Sequence, residues 1–100
     1  MNSSSSIIDF EKFVPASDVV SCDLEGEAAL LDMRSGVYFS LNRIGAIIWE
    51  HLQTGDSLST LVESITNRFD VDPVVFLADL NTLLETLRAR GLIESRELAK

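Results

Sequence analysis

The segment Leu30–Leu52, LLDMRSGVYFSLNRIGAIIWEHL, constrains this chain most, because its hydrophobic period changes partway along with no linker. Up to Leu41 the apolar residues alternate. Val37, Phe39 and Leu41 are separated by Tyr38 and Ser40, as in a strand with one face on a core. Beyond Asn42, a good helix N-cap, Ile44, Ile48, Trp49 and Leu52 fall on one arc of a helix. A strand that runs straight into an apolar helix can keep one edge open. An open edge beside such a helix is a place where a peptide can be held.

The flanking segments extend both patterns. Ser17–Leu24 alternates at Val20, Cys22 and Leu24, and Glu25-Gly26-Glu27 reads as a turn. Ala28–Met33 is apolar enough for a buried strand, and Arg34-Ser35-Gly36 turns the chain again before the strand Val37–Leu41. Three short strands with tight turns make an antiparallel meander. Downstream, Gly55 ends the first helix and Ser57 can cap the next. Leu58, Leu61, Val62, Ile65 and Phe69 then repeat at helical spacing. Asp72-Pro73 is a strong start signal for a third helix running to about Arg90, where Gly91 stops it and Leu92-Ile93 return. The predicted fold is α+β, winged helix-turn-helix-like: a three-stranded antiparallel sheet followed by three helices, in the order β-β-β-α-α-α. A flexible N-terminal segment (1–16) precedes one domain (17–94), and a short C-terminal tail (95–100) follows.

Phe76, Leu77, Leu80, Leu83, Leu84 and Leu87 cover an arc of roughly 120° on the third helix, at about 100° per residue. That is wider than a helix needs to cap a small sheet. Most of the six are expected in the core, with Leu77 and Leu84 the candidates for a partly open groove.

Composition narrows the function. A net charge of −8 on 100 residues argues against a nucleic-acid partner, because phosphate binding rests on clustered Lys and Arg. Acids crowd the first half (Asp18, Asp23, Glu25, Glu27, Asp32), while Arg88, Arg90, Arg96 and Lys100 fall late. No secretory signal or membrane-length apolar run is visible, so a cytoplasmic protein without membrane contact is expected. One cysteine, Cys22, and one histidine, His51, leave no disulfide and no Cys/His zinc site. Cys22 is expected as a small buried hydrophobe, His51 as a structural residue.

No paired carboxylates, glycine-rich phosphate loop or Cys–His arrangement supports an enzyme, and nothing calls for a cofactor. Gly55-Asp56-Ser57-Leu58 carries an Asp-Ser-Leu that is similar to the carrier-protein site bearing phosphopantetheine on its serine. Such carriers are helical throughout, and residues 17–41 read as strands, so Ser57 reads better as an N-cap. A winged-helix adaptor is the remaining alternative to a peptide-binding module.

Leu31-Asp32, Gly36, Tyr38, Leu41-Asn42, Gly45, Ile48-Trp49, Leu52 and Gly55 together resemble the PqqD family. So do Phe69-Asp70 and the spacing Leu83, Leu87, Arg90-Gly91-Leu92-Ile93. The Tyr-Phe-Ser-Leu-Asn and Ile-Trp pieces look closest to stand-alone members from lasso-peptide pathways. Arg34-Ser35-Gly36 departs from the Pro-Glu-Gly turn of members serving pyrroloquinoline quinone synthesis. The resemblance implies a non-catalytic RiPP recognition element that binds the leader region of a ribosomally made precursor peptide. It implies that the leader adds as an antiparallel strand to Val37–Leu41, in a cleft against the helix Pro73–Arg90. Main-chain bonds would come from Val37, Tyr38, Phe39, Ser40 and Leu41. Pockets would come from Tyr38 or Phe39 with Leu77, Leu80 and Leu84, and Arg88 would pair with a leader carboxylate. The implied partners are the precursor leader, a cysteine-protease-type leader peptidase and, as a further candidate, the lasso cyclase.

Overall fold

The computed structural model describes residues 10–95. Strands β2 (Val19–Leu24), β3 (Glu27–Asp32) and β4 (Tyr38–Leu41) form an antiparallel sheet in the order β2-β3-β4. Helices α1 (Arg43–Thr54), α2 (Leu58–Arg68) and α3 (Pro73–Ala89) follow, as the change of period requires. Each helix starts on a predicted cap. The Asn42 side chain accepts from Gly45 N–H, Ser57 from Thr60 N–H, and Asp72 from Val74 N–H ahead of Pro73. Gly55 closes α1 in the left-handed region at φ 76°, where a side chain would be strained.

The N-terminal segment differs from expectation. Phe10–Lys12 forms a 3-10 turn, and β1 (Phe13–Pro15) pairs antiparallel with β5 (Ile93–Ser95). Phe10 is 1% exposed and belongs to the core. Glu11 Oε2 accepts from the N–H of Leu58 at 3.1 Å, at the start of α2. Residues 10–16 are therefore built into the fold rather than flexible, and Ser95 is part of a strand. Strands of three residues are too short to show a period, and their partners lie about 80 residues away in sequence, so no local pattern announces them. Residues 1–9 and 96–100, the remainder of both predicted terminal segments, lie outside the described residues.

The core is built from Leu30 and Leu41 of the sheet, one face of each helix, and Phe10, Leu92 and Ile93 from the ends. One face of the sheet packs on it. The other face is open, and β2 is an edge, so Cys22 is exposed rather than buried. The β2–β3 hairpin closes through Glu25-Gly26 alone, with φ 57° and 91°, the signature of a two-residue type I′ turn.

Candidate functional site

Among the described residues strand β4 pairs only with β3, in the register Leu31↔Tyr38, Leu30↔Phe39, Ala29↔Ser40, Ala28↔Leu41. Just before the strand, Asp32 N–H donates to the Val37 carbonyl at 2.9 Å. That bond sets the phase of the ladder. In an antiparallel pair, bonded and non-bonded residues alternate, so Phe39 and Leu41 direct their N–H and C=O to β3. Tyr38 and Ser40 direct theirs to the free edge. Val37 itself lies just outside the strand, because the turn before it is held by Asp32. The Asp32 carboxylate accepts from Arg34 N–H at 2.9 Å and from Ser35 N–H at 3.4 Å. Those donors, Arg34 N–H first, lower the carboxyl below its ordinary pKa.

A groove of about 350 Å³ lies along this edge. Phe39, Ser40 and Leu41 form one wall, and Val75, Phe76, Asp79 and Leu83 of α3 form the other. Ile44, Gly45 and Ile48 of α1 contribute between them, and Val71 adds a further apolar side chain. Gly45 explains how α1 comes so close to the strand that precedes it. A Cβ there would meet Leu41 Cβ and Cδ2, both at 3.2 Å. The lining is largely apolar, and Asp79 is the one ionisable side chain that the described residues contribute to it.

The predicted site residues divide accordingly. Phe39, Ser40 and Leu41 line the groove, and Tyr38 supplies edge main chain while its ring lies exposed on the outer face. Leu80 and Leu84, at 0% and 3% exposure, are spent on the core, and Leu77 is half-buried against it. None of the three lines the groove, and neither does Arg88. The α3 wall is the adjacent row Val75–Asp79–Leu83, spaced by four, with Phe76 beside it. Its signal in the sequence was the acid at 79, which interrupts an otherwise apolar row. The basic group beside β4 is Arg90, whose guanidinium lies over the Phe39 ring. Ser57 serves as the α2 cap, and its hydroxyl also meets those of Ser59 and Thr60. His51 Nδ1 sits 2.7 Å from Asp56 Oδ2 at the end of α1. Among the described residues no cluster of three or more His, Cys, Asp or Glu could hold a metal ion, and no helix could cross a membrane.

The sequence profile of the family described as Coenzyme PQQ synthesis protein D (PqqD) matches residues 27–93. The chain belongs to the PqqD family. The match begins with β3 and ends at Ile93, so it contains both walls of the groove. Two solved structures are similar to this PqqD-family chain. One is TbiB1 in complex with the TbiA(beta) leader peptide: 31% identity, TM-score 0.74, covering 81% of this chain and 94% of that one. The other is lasso peptide synthetase B1 complexed with the leader peptide: 25% identity, TM-score 0.74, covering 83% and 98%. No curated protein matches the sequence.

Proposed function

We propose that the groove between β4 and α3 binds the leader region of a ribosomally synthesised precursor peptide of a lasso-peptide pathway. The leader lies antiparallel to β4 as an added strand. The outward N–H and C=O groups of Tyr38 and Ser40 give it main-chain bonds, and alternate side chains enter the groove. The observation that carries this reading is the unprotected edge itself. Exposed edges are normally blunted by charge, proline or a covering element. Tyr38-Phe39-Ser40-Leu41 has neither charge nor proline, and what stands across from it is an apolar groove. The leader complexes of the two similar proteins support the same use of the fold. Asp79 favours a leader with a basic residue at the position that reaches it.

The protein then acts without chemistry of its own. It holds the leader and presents the precursor to processing enzymes, a cysteine-protease-type leader peptidase above all, with the lasso cyclase as a further candidate. Fluorescence anisotropy of a labelled leader, taken from a precursor encoded beside this gene, tests the binding step. Saturable binding is expected, and its absence with every such leader sinks the proposal. Precursor cleavage by a cysteine-protease-type leader peptidase, with and without this protein, tests delivery. Equal rates would remove that half.

A further inference from the structure

The groove row of α3 does not end at Leu83. At about 3.6 residues per turn, the eleven residues from Asp79 to Arg90 make close to three full turns, so Arg90 returns to the face that carries Val75, Asp79 and Leu83. Arg88 falls about half a turn away. The ring contact of Arg90 with Phe39 agrees with this placement, because Phe39 is the first residue of β4 to line the groove. From there the groove continues past Leu41 to Asn42 and Ile44. An acid and a base therefore stand on one face of α3, separated by about 16 Å of helix.

Asp79 and Arg90 are both exposed, and neither forms an ion pair with a described residue. A chain lying in the groove changes their surroundings. It takes water from the Asp79 carboxylate, which lies among apolar side chains, and an apolar residue placed there would leave that charge without a partner. Arg90 is held against Phe39, so its guanidinium is in place before a carboxylate arrives and less of its rotamer freedom remains to be lost.

We infer that Asp79 and Arg90 together fix the register and the direction of the leader: a Lys or Arg of the leader meets Asp79, and an Asp or Glu meets Arg90. The assignment rests on leader binding along β4. In an added strand only alternate side chains face α3, so the two leader residues are an even number apart. A spacing of four spans about 14 Å, and the length of the side chains makes up the rest. An antiparallel leader passes Leu41 before Phe39, so the base comes first and the acid four residues later. A leader shifted by one residue turns both charges away from the groove, and one lying in reverse sets like charges together.

The probe is the labelled leader of the anisotropy experiment. A leader that binds should carry Lys or Arg and, four residues towards its C-terminus, Asp or Glu. Changing that acid to Lys should lower affinity for the wild-type protein about fivefold or more, the upper range of one exposed ion pair. Arg90→Glu should then bind the changed leader better than the original. Asp79→Lys, away from the ring contact, gives the same test alone: it should prefer a leader whose base is changed to Glu. Both preferences should fade in 1 M salt, where the screening length is about 3 Å. Both positions are exposed, so the circular dichroism of each variant should match wild type. A bound leader without this pair of charges overturns the inference, and so do changes whose effects simply add across protein and leader. Those two outcomes leave leader binding intact, whereas no binding by any leader removes the leader reading and this inference with it.

Discussion

Arg90, the residue that ends α3, lays its guanidinium over the ring of Phe39 on β4, with Cζ 5.3 Å from the ring centroid. This contact ties the C-terminal end of α3 to Phe39, a residue that lines the proposed leader groove. An exposed cation–π pair is worth about 0.5–1 kcal/mol. Arg90→Gln is therefore expected to lower stability by about that amount in urea unfolding and to weaken leader binding. Arg88→Gln, away from the groove, should change neither. Equal loss of leader affinity in both variants would mean that net charge matters rather than the contact.

The ladder phase makes a sharp prediction about proline. Ser40 N–H faces the free edge, so Ser40→Pro removes a donor to the leader and none to β3. Edge positions of this kind tolerate proline. The variant should stay folded by circular dichroism and lose leader affinity at least about tenfold. Phe39→Pro breaks a β3 bond and should unfold the sheet. A folded Ser40→Pro protein that binds normally would rule out strand addition on β4.

The two rows of α3 should separate folding from binding. Leu84→Ala removes a core side chain and should cost about 2–5 kcal/mol in urea unfolding. Val75 is 56% exposed and lines the groove. Val75→Asp should leave the urea midpoint nearly unchanged and reduce leader affinity at least about tenfold. Intact binding in Val75→Asp would remove this wall from the site.

Glu25 is the one described non-glycine residue with positive φ, at 57°, in a turn that favours Asn or Gly there. Glu25→Asn should raise stability by about 1 kcal/mol, read as a higher thermal midpoint, because the left-handed conformation costs most side chains about that much.

Asp32 is 4% exposed, and its lowered pKa has a consequence for pH. Its folded value lies below the unfolded 3.8, so the carboxylate adds stability above 3.8 that is lost as pH falls through the folded value. Asp32→Asn keeps an acceptor for Arg34 N–H but cannot titrate. The difference in urea midpoint between wild type and variant should hold steady near neutrality and shrink as acid protonates the wild-type group. A difference independent of pH would contradict this.

Much of this was legible locally. The alternation through Val37–Leu41, the caps at Asn42, Ser57 and Asp72, and the stops at Gly55 and Gly91 are short-range signals, and each element appears where its signal lies. That a meander of three strands leaves free edges was legible too; which edge stands beside a groove was not. The helix wall was not. A six-residue stripe names a broad face, and only packing decides which row meets the core. The buried row became Phe76–Leu80–Leu84–Leu87, and the neighbouring row Val75–Asp79–Leu83 was left to the groove, with Phe76 shared.

From the sequence alone come the three strands of the meander and the three helices in their order, since periodicity and caps act within a few residues of the chain. Tertiary structure alone decided three things: the joining of residues 10–16 to the far end, the rotation of α3 that sets Asp79 and Leu83 opposite β4, and the placing of Arg90 on Phe39. Each depends on contacts between segments distant in sequence, where the energy belongs to the packed pair and neither partner alone carries a sign of it.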